Sequence, residues 1–473
     1  MLNNFQIKFV LAGWLCCGIA AAADRPNILI AISDDQSYPH TSAYGDAAVS
    51  TPAFDRVAKS GVLFRNAFTP APGCSPMRAA FLTGRQIWQL REAGTHGSYF
   101  PKDLPVFTRQ LAAAGYHVGM TGKGWGPGRA DGWEHNPAGK LYSKQTIKAP
   151  AGIANVDYAG NFADFLADRD DDQPFCFWFG GKEPHRVYKP GIGKQNGIDP
   201  NKVTVPAFLP DTPTVRSDIA DYLYEIQWFD SHLDQMLGKL RDLGQLENTL
   251  VIVTSDNGMP FPRAKANVYE YGIHMPLAIS WPQRIPAGQD TDDLVSLIDV
   301  TRTIFAAADV EPEQSELLQG QSLLPDYSGD SSGVKTAKRT AVFRGRERHS
   351  TSRYNSLGYP CRCIRNKTHL FIRTFTPERW PAGTPQKYDK AKFDGAGALT
   401  SQTLGPEHGG YHDIDDGPTL QWMIKHRAEG QVAELFNAAV AIRPAEELYD
   451  VVNDPGCLQN LAASDAAKAI KLK

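Results

Sequence analysis

Four residues with oxygen-donor side chains stand directly after two short apolar runs. Asp34 and Asp35 follow the run 28–32, and Asp256 and Asn257 follow a second such run. Carboxylate and amide oxygens are the ligands that Ca²⁺ and Mg²⁺ prefer. Turns at strand ends also favour Asp and Asn, but two such pairs on different strands favour a divalent-cation site.

A cysteine, Cys74, opens the segment CSPMR, which has the pattern C-x-P-x-R and continues as AAFLTGR to residue 85. A buried structural cysteine is the usual fate of a lone Cys, and the short pattern also recurs in unrelated chains. Its significance therefore depends on whether distant residues supply the groups that a nucleophile in this segment requires.

Three cations and one histidine are candidates to assist such a nucleophile. Attack on an anionic ester requires positive groups that neutralise the ester and the charge that develops on it. Arg78, Lys123 and Lys265 are candidates for this role, although lysines are usually solvated surface groups. His185, in the sequence EPHR, is the candidate to protonate the leaving group; a loop histidine without a catalytic role is the alternative.

The composition is that of an ordinary globular protein. The chain has 473 residues, 42% of them hydrophobic and 21% charged, and this length predicts about two or three domains. The formal net charge of -3 argues against a nucleic-acid partner, since such proteins carry a dominant basic surface. Any site for a polyanion must therefore be local.

The first 23 residues have the features of a secretory signal peptide. Lys8 precedes an apolar run over residues 9–20, and an alanine-rich stretch ending at Ala23 offers a cleavage site. The run is short for a membrane span, which needs about 20 residues, and no later segment is long and apolar enough. We therefore expect an exported protein, periplasmic or secreted, without a stable membrane span.

Apolar runs alternate with helical patterns through the first two thirds of the chain. The runs are residues 28–32, 175–179 and 250–254, and the clearest helix places apolar residues at steps of three and four from Val215 to Leu243. This alternation predicts an α/β sheet that is buried on both faces. Because ligands gather at the carboxyl ends of strands in such sheets, the polar groups after the three runs are expected to meet.

A change in composition around residues 315–340 indicates a domain boundary. The sequence there turns to Gly, Ser, Asp and Lys with little periodicity. Beyond it, segments 340–343 and 368–375 favour strands of a smaller antiparallel sheet. The predicted division is into a signal peptide, a catalytic domain and a smaller C-terminal α+β domain, with the bounds 1–23, 24–335 and 336–473.

Basic residues are concentrated in the segment 341–380, which holds nine Lys or Arg against two acidic residues. Arg344, Arg346 and Arg348 open this segment, and arginine binds carboxylates and sulfates bidentately. We interpret these three as candidate substrate-binding residues for neighbouring carboxylate or sulfate groups of a polyanionic substrate. A solvated face of a sheet is the commoner explanation of such charge.

These blocks together resemble the type I sulfatases of the alkaline-phosphatase superfamily. The resemblance is carried by the C-x-P-x-R pattern at Cys74, by DNG at Asp256 followed by K-x-x-x-Y-E-x-G-I at Lys265, and by RPN and ELYD near the two ends. The sequences DNGMPFP and VRSD most resemble the branch that contains heparan N-sulfatase, the sulfamidase.

This resemblance implies a fold and a chemistry. The fold is α/β, with a large mixed β-sheet sandwiched between helices and a smaller C-terminal antiparallel sheet domain. Cys74 is then oxidised to formylglycine by a formylglycine-generating enzyme, and the hydrated aldehyde is the nucleophile. By similarity one Ca²⁺ is bound by four residues and the sulfate is surrounded by four others, namely Asp34, Asp35, Asp256 and Asn257 for the metal, and Arg78, Lys123, His185 and Lys265 for the sulfate.

Two positions depart from the pattern of that family. The family commonly has G-K-x-H where this chain has GKGW ending at Trp125, so the histidine that helps to release sulfate is missing. His274, His117 and His135 are candidates to replace it. Lys182 stands where the first histidine of an H-x-P-H pattern is often found, which indicates a substrate subsite different from that of the sulfamidase.

Three functions are compatible with these patterns. The first is hydrolysis of sulfate esters, or of N-sulfate groups, on a sulfated polysaccharide or its oligosaccharides. The second is a phosphate or phosphonate ester hydrolase of the same superfamily, because some of its members share C-x-P-x-R. The third is a noncatalytic glycan-binding homologue, which Trp125 makes conceivable.

Overall fold

The computed structural model describes residues 25–325, 339–386, 388–393 and 399–464. The predicted signal peptide and the predicted domain boundary at residue 335 lie outside the described residues. Within the described residues, no helix combines the length and the apolar character that a membrane crossing requires.

The strands of the described residues fall into four sheets. In chain order they are β1 (Asn27–Ser33), β2 (Val62–Phe68), β3 (Ser98–Tyr99), β4 (His117–Gly122), β5 (Gly128–Arg129), β6 (Lys140–Leu141), β7 (Phe175–Gly180), β8 (Thr249–Ser255), β9 (His274–Ser280), β10 (Gln289–Ser296), β11 (Val342–Arg346), β12 (Cys361–Arg365), β13 (His369–Thr374), β14 (Tyr388–Phe393), β15 (Leu399–Leu404) and β16 (Glu446–Asp450).

The α-helices of the same residues lie mostly between strands of the largest sheet. They are α1 (Pro52–Lys59), α2 (Cys74–Thr83), α3 (Phe107–Ala113), α4 (Tyr158–Ala167), α5 (Ile192–Gln195), α6 (Pro213–Asp242), α7 (Glu270–Ile273), α8 (Ile298–Ala308), α9 (Pro418–Lys425) and α10 (Gly430–Val440).

The largest sheet has eight strands in the order β10-β2-β9-β8-β1-β7-β4-β6. Strands β8, β1, β7 and β4 are parallel neighbours, whereas β9 runs antiparallel to both β8 and β2. The sheet is therefore mixed. The three predicted apolar runs form the interiors of β1, β7 and β8, and every residue of β7 and β8 is buried.

Both faces of this sheet are covered, as the continuous apolar runs predict. Along β1, Ile28 and Ile30 pack into one hydrophobic cluster with residues of α2, α3 and α8. Leu29 and Ala31 point to the other face and pack with α1, α4 and α6. Alternate residues of a strand face opposite sides of a sheet, so one strand contributes to two cores.

Helix α6 is the long helix that the apolar spacing predicts. Thr212 caps its start by accepting a hydrogen bond from the backbone N–H of Val215 at 3.3 Å, and Pro213 is its first residue. The helix ends at Asp242, and Gly244 follows with a φ of +68°. Cap, proline and glycine stand where such residues are favoured.

The C-terminal part of the chain forms a four-stranded antiparallel sheet in the order β11-β12-β13-β16. Its strands β11 and β13 correspond to the two segments predicted there. Leu370 and Ile372 of β13 pack with Phe68 and Ile273, which connects this sheet to the large one. The predicted fold class, a large mixed sheet between helices with a smaller antiparallel sheet, is confirmed.

Candidate active site

The polar strand ends lie side by side at one edge of the large sheet. Gly122 of β4 pairs with Gly180 of β7, Gly180 pairs with Ile32 of β1, and Ile32 pairs with Thr254 of β8. These four residues form one row across parallel strands. The segments that follow the row carry the polar groups that the sequence predicted to meet there.

The end of β4 is held tightly against β7. A Cβ atom on Gly180 would lie 1.8 Å from the carbonyl oxygen of Lys123, and a Cβ atom on Gly122, whose φ is +72°, would lie 2.0 Å from the carbonyl oxygen of Gly180. Only glycine allows both contacts. Lys123 therefore leaves the strand in a fixed direction, toward the neighbouring end of β1.

Four buried oxygen-donor residues form a cluster after β1 and β8. Asp34, Asp35, Asp256 and Asn257 are each at most 2% exposed. Oxygen atoms of the three carboxylates and the sulfur of Cys74 all lie within 4.8 Å of one another. Such a concentration of buried negative charge requires positive charge nearby.

The amide of Asn257 is only half satisfied. Its Nδ2 donates a hydrogen bond of 2.7 Å to Oδ1 of Asp35, whereas its buried Oδ1 has no hydrogen-bond partner in the part of the chain that the structure describes. Leaving a buried acceptor unpaired costs about 1–3 kcal/mol. An all-oxygen donor set with a free amide oxygen fits a hard divalent cation.

Cys74 is the first residue of α2 and is 1% exposed. Its Sγ lies 3.4 Å from Oδ1 of Asp34 and 3.9 Å from Oδ1 of Asp35. Burial and the charge of Asp34 raise the pKa of the Cys74 thiol well above its ordinary value. A thiol in these surroundings is a poor nucleophile, because the reactive form is the thiolate.

Arg78 lies one turn further along α2 and is completely buried. Its Nε donates a hydrogen bond of 2.8 Å to Oδ2 of Asp256, and its Nη1 donates to the carbonyl oxygens of Lys123 and Gly124 at 2.6 and 3.1 Å. Its Nη2 has no hydrogen-bond partner among the described residues. One edge of a fixed guanidinium is thus free to bind an anion.

Two lysines neutralise Asp34 and Asp35, the carboxylates that follow β1. Nζ of Lys123 lies 2.5 Å from Oδ2 of Asp34, and Nζ of Lys265 lies 2.7 Å from Oδ2 of Asp35. Burial lowers the pKa of each lysine, but the facing carboxylates outweigh it, so both pKa values are raised. The same lysines, with His185 and Arg78, hold the pKa of Asp34 below its ordinary value despite burial.

Lys265 comes from a loop that is connected to the segment before Cys74. Its backbone N–H donates to the carbonyl oxygen of Met259 at 3.1 Å, and the N–H of Ala266 donates to the carbonyl oxygen of Pro72 at 3.0 Å. These two hydrogen bonds explain how a residue far along the chain reaches the start of α2.

His185 completes the cationic side of the cluster. Its Nε2 lies 3.0 Å from Nζ of Lys265 and 3.8 Å from Oδ2 of Asp35. Its Nδ1 lies 2.7 Å from the carbonyl oxygen of Arg186; because a carbonyl only accepts, Nδ1 carries a proton, and Nε2 is the ring nitrogen that faces the cluster. The side chain is 36% exposed.

A cleft of about 720 Å³ opens from the cluster to solvent. Asp34, Lys123 and His185 line its floor, and Trp125 and the exposed Lys182 lie along its walls. The five predicted residues Cys74, Arg78, Lys123, His185 and Lys265 and the four predicted metal ligands are thus brought together at one edge of the sheet.

Asp415 also belongs to this cluster, although sequence reasoning missed it. Its Oδ2 lies 2.7 Å from Nζ of Lys265, and the charges of Lys265 and His185 lower its pKa against the effect of burial. The run DIDDG around it was the available signal. Acidic loop segments are usually solvated, so this run alone does not distinguish Asp415 from its neighbours.

The three arginines at the start of segment 341–380 do not form the expected substrate surface. Arg344 is completely buried with its guanidinium 4.6 Å from the ring centre of Phe68. Arg346 is 4% exposed and paired with Asp413. Arg348 is partly buried and donates to the carbonyl oxygen of His96 at 3.1 Å. Arg344 and Arg346 lie on the buried face of β11, whereas Arg348 follows the strand and retains contact with solvent.

The three histidines considered as replacements at position 125 lie elsewhere. His117 begins β4, at the opposite end from Lys123, and stacks on Phe165. His274 stacks on Tyr38 and bonds through Nε2 to the carbonyl oxygen of Arg65. The side chain of His135 is 50% exposed beside Glu134. None of the three is hydrogen-bonded to a residue of the cluster described above.

A site of this kind suits an enzyme that hydrolyses anionic esters, because its cations can neutralise a sulfate or phosphate group. Residues 26–310 match the sequence family described as Sulfatase. Residues 263–362 match the family described as N-sulphoglucosamine sulphohydrolase, C-terminal. The chain therefore belongs to the sulfatase family, and it is a sulfuric ester hydrolase.

Individual relatives agree with this assignment. The N-sulphoglucosamine sulphohydrolase of Homo sapiens is 30% identical over 487 residues, which cover 95% of this chain and 88% of that protein. An ulvan-active sulfatase of Formosa agariphila is 24% identical over 492 residues, which cover 93% of this chain and 72% of that protein. The predicted resemblance to the sulfamidase branch is confirmed.

The fold recurs in solved structures. One of these structures is a protein in complex with its substrate D-glucosamine-2-N,6-O-disulfate. The match has a TM-score of 0.63 and 20% sequence identity, and it covers 95% of this chain and 96% of that protein. At this level of identity the likeness concerns the fold.

Proposed function

We propose that this enzyme releases sulfate from a sulfated polysaccharide or its oligosaccharides. The observation that carries the proposal is the ring of positive groups around Cys74, in which Arg78 still has an unpaired Nη2. A sulfate group bears negative charge on several oxygens, and fixed cations bind it without reorganisation. The names of the relatives, which act on sulfated glycans, support the same substrate class.

The metal in this proposal is one Ca²⁺, held by Asp34, Asp35, Asp256 and Asn257. The all-oxygen donor set and the unpaired Oδ1 of Asn257 support it. When bound, the ion supplies positive charge to the ester oxygens. Lys123 and Lys265, which pair with Asp34 and Asp35, would supply further positive charge to the sulfate.

Cys74 acts in this proposal after oxidation to formylglycine by a formylglycine-generating enzyme, for which C-x-P-x-R is the recognition pattern. The modification supplies a hydroxyl nucleophile from a hydrated aldehyde. The raised pKa of the Cys74 thiol supports the need for it. The predicted signal peptide places this maturation on an exported, periplasmic or secreted protein.

The remaining residues bind the sulfate and move a proton. Arg78, Lys123 and Lys265 bind the sulfate oxygens and fix the group above residue 74. In its imidazolium form, His185 donates the proton on Nε2, the ring nitrogen that faces the cluster, to the oxygen or nitrogen of the departing sugar and keeps the proton on Nδ1. Lys182, which is exposed at the cleft wall, binds a second anionic group of the glycan.

Sulfate release from a panel of O- and N-sulfated mono- and oligosaccharides tests this function. The wild-type protein, with formylglycine confirmed by mass spectrometry, is compared with Cys74→Ala, with and without Ca²⁺. Release that is lost in Cys74→Ala supports the proposal and identifies the sugar. Preference for phosphate or phosphonate esters would instead favour the second function, and sugar binding without release by the modified protein would favour the third.

A further inference from the structure

Trp125 lines the cleft but offers the site no proton acceptor. Its indole Nε1 donates a hydrogen bond of 3.0 Å to the carbonyl oxygen of Ser75, in the first turn of α2. Its ring packs edge-on against Phe100 at a centroid distance of 5.1 Å and is 5% exposed. An indole has a donor and no acceptor, so Trp125 braces the helix and takes up no proton.

Two other histidines meet beside the residue that precedes Cys74. A Cβ atom on Gly73 would lie 3.2 Å from Nδ1 of His349 and 3.8 Å from Cδ2 of His96. The two rings are stacked, with centroids 4.2 Å apart. His96 lies between α2 and α3, and His349 follows β11. The absence of a side chain at Gly73 gives both rings room beside the start of α2.

The hydrogen bonds of His96 fix which of its nitrogens is free. Its Nδ1 lies 2.7 Å from the carbonyl oxygen of His349, and a carbonyl accepts only, so Nδ1 carries the proton and Nε2 keeps its lone pair. Nε2 of His96 has no hydrogen-bond partner among the described residues. The neighbouring Gly97 N–H donates to Oγ of Ser75 at 3.0 Å, which anchors this segment to α2.

The charges around the pair keep both rings neutral. Burial, followed by the charge of Lys265, lowers the pKa of His96 to about 4, and Lys123 adds to the effect. The pKa of His349 is also lowered, chiefly by burial, while Asp413 and Asp415 act in the opposite sense. A neutral imidazole near both lysines of the site is able to accept a proton, and a sulfate group bound between those lysines offsets their charge.

We propose that His96 is the proton acceptor for sulfate release in this enzyme, with His349 as its positioning residue. The proposal rests on the proposed function. After the sulfate has been transferred to the hydrate, Nε2 of His96 takes the proton of the free hydroxyl. The O–H electron pair forms the C=O bond of the aldehyde, and the bond from that carbon to the bridging oxygen breaks, its electrons leaving with sulfate. Water then restores the hydrate, and the proton passes to solvent.

The test uses His96→Asn, whose side-chain amide can still donate to the carbonyl oxygen of His349 but offers no acceptor at the position of Nε2. With a sulfated sugar that the wild type hydrolyses, we expect one rapid turnover and then a kcat lowered about 100-fold or more. Mass spectrometry of the peptide containing residue 74 should show the sulfated form accumulating. His135→Asn, at an exposed histidine outside the site, is the matched control.

Two further variants separate proton transfer from packing. Trp125→His in the His96→Asn background introduces an acceptor beside the first turn of α2, and we expect it to recover turnover and remove the sulfated peptide. His349→Ala keeps the carbonyl that holds His96 and should lower kcat by a smaller factor without a change in KM. Thermal unfolding of each variant shows whether it is folded.

Several outcomes would overturn the proposal. Folded His96→Asn with unchanged kcat would do so, and so would a raised KM without accumulation of the sulfated peptide, which would assign His96 to sugar binding. Absence of sulfate release by the fully modified wild-type protein would overturn the proposed function itself, and this proposal with it.

Discussion

Nζ of Lys265 donates a hydrogen bond of 2.7 Å to Oδ2 of Asp415. The two residues are 150 positions apart in the chain, and the side chain of Lys265 is only 2% exposed. Lys265 also donates to Asp35 at 2.7 Å, so one buried ammonium is shared by two carboxylates. Asp415 therefore influences how strongly Lys265 competes with a metal ion for Asp35, which is one of the predicted metal ligands.

Asp415→Asn should weaken the binding of Ca²⁺. Without the charge of residue 415, Lys265 pairs more strongly with Asp35, and the ion must displace it. Since a hydrogen bond to a charged group is worth about 1.5–3 kcal/mol, we expect the dissociation constant to rise about 10-fold. Calcium titration by calorimetry measures it. Asp416→Asn, at the exposed neighbour, is the control, and equal constants for both variants would contradict the expectation.

Calcium should stabilise the folded protein through the oxygen cluster. In the proposed metal site, three buried carboxylates and the amide oxygen of Asn257 would bind the ion in the native state only. A free Ca²⁺ concentration of 100 times the dissociation constant should then add about 2.7 kcal/mol to the free energy of unfolding. Thermal unfolding with Ca²⁺ and with EDTA shows this difference in the wild type. Asn257→Ala should abolish most of it, whereas a shift of equal size in that variant would argue against Asn257 as a ligand.

Arg78→Lys should damage both activity and stability. A lysine keeps the charge but cannot bond simultaneously to Asp256 and to the backbone carbonyl of Lys123. Loss of a buried hydrogen bond that involves a charged group costs about 1.5–3 kcal/mol of stability, and we expect kcat/KM to fall by at least about 100-fold. Urea unfolding and sulfate release measure the two effects. Arg91→Lys, at a surface pair with Asp103, should change neither.

Glu225→Gln should remove a pH dependence of stability. Burial, followed by the charge of Glu183, raises the pKa of Glu225 to about 9, and its Oε1 has no partner among the described residues. From about pH 5 to pH 9 the unfolded chain ionises this group while the native protein keeps it protonated, so rising pH lowers stability by about 1 kcal/mol per unit.

Urea unfolding at pH 6 and pH 8 measures this effect. We expect the wild type to lose more stability over this interval than Glu225→Gln, in which the side chain is neutral throughout. Glu134→Gln, at a side chain that is 90% exposed, is the control. Parallel losses in the wild type and in Glu225→Gln would mean that Glu225 is ionised in the native protein.

Arg344→Met should leave turnover of polymeric substrate unchanged. The guanidinium is completely buried against Phe68, and none of its three nitrogens has a hydrogen-bond partner in the described part of the chain. Burying a charge without an ion-pair partner is costly, so an apolar side chain of similar length should leave the free energy of unfolding unchanged or raise it. Desulfation of the polymer measures turnover, and urea unfolding measures stability. A loss of polymer turnover in a stable variant would instead support a role for Arg344 in substrate binding.

The strands and the residues at their ends follow from local sequence. Continuous apolar runs can be satisfied only by strands that are buried on both faces, and residues that follow parallel strands meet at one edge of the sheet. For this reason Asp34, Asp256 and His185 were predictable as neighbours. The spacing of apolar residues likewise determined helix α6, from its cap to its final glycine.

The tertiary structure alone decided what approaches that edge from other parts of the chain. Charge in the sequence does not distinguish a buried arginine from a solvated one, so Arg344 was expected at the surface and lies inside. No local pattern distinguishes His96 or Asp415 from the residues beside it, because the groups that surround each side chain come from distant segments. Packing between separate elements brings them to α2 and Lys265, and the free energy of that packing is spread over contacts that no short stretch of sequence contains.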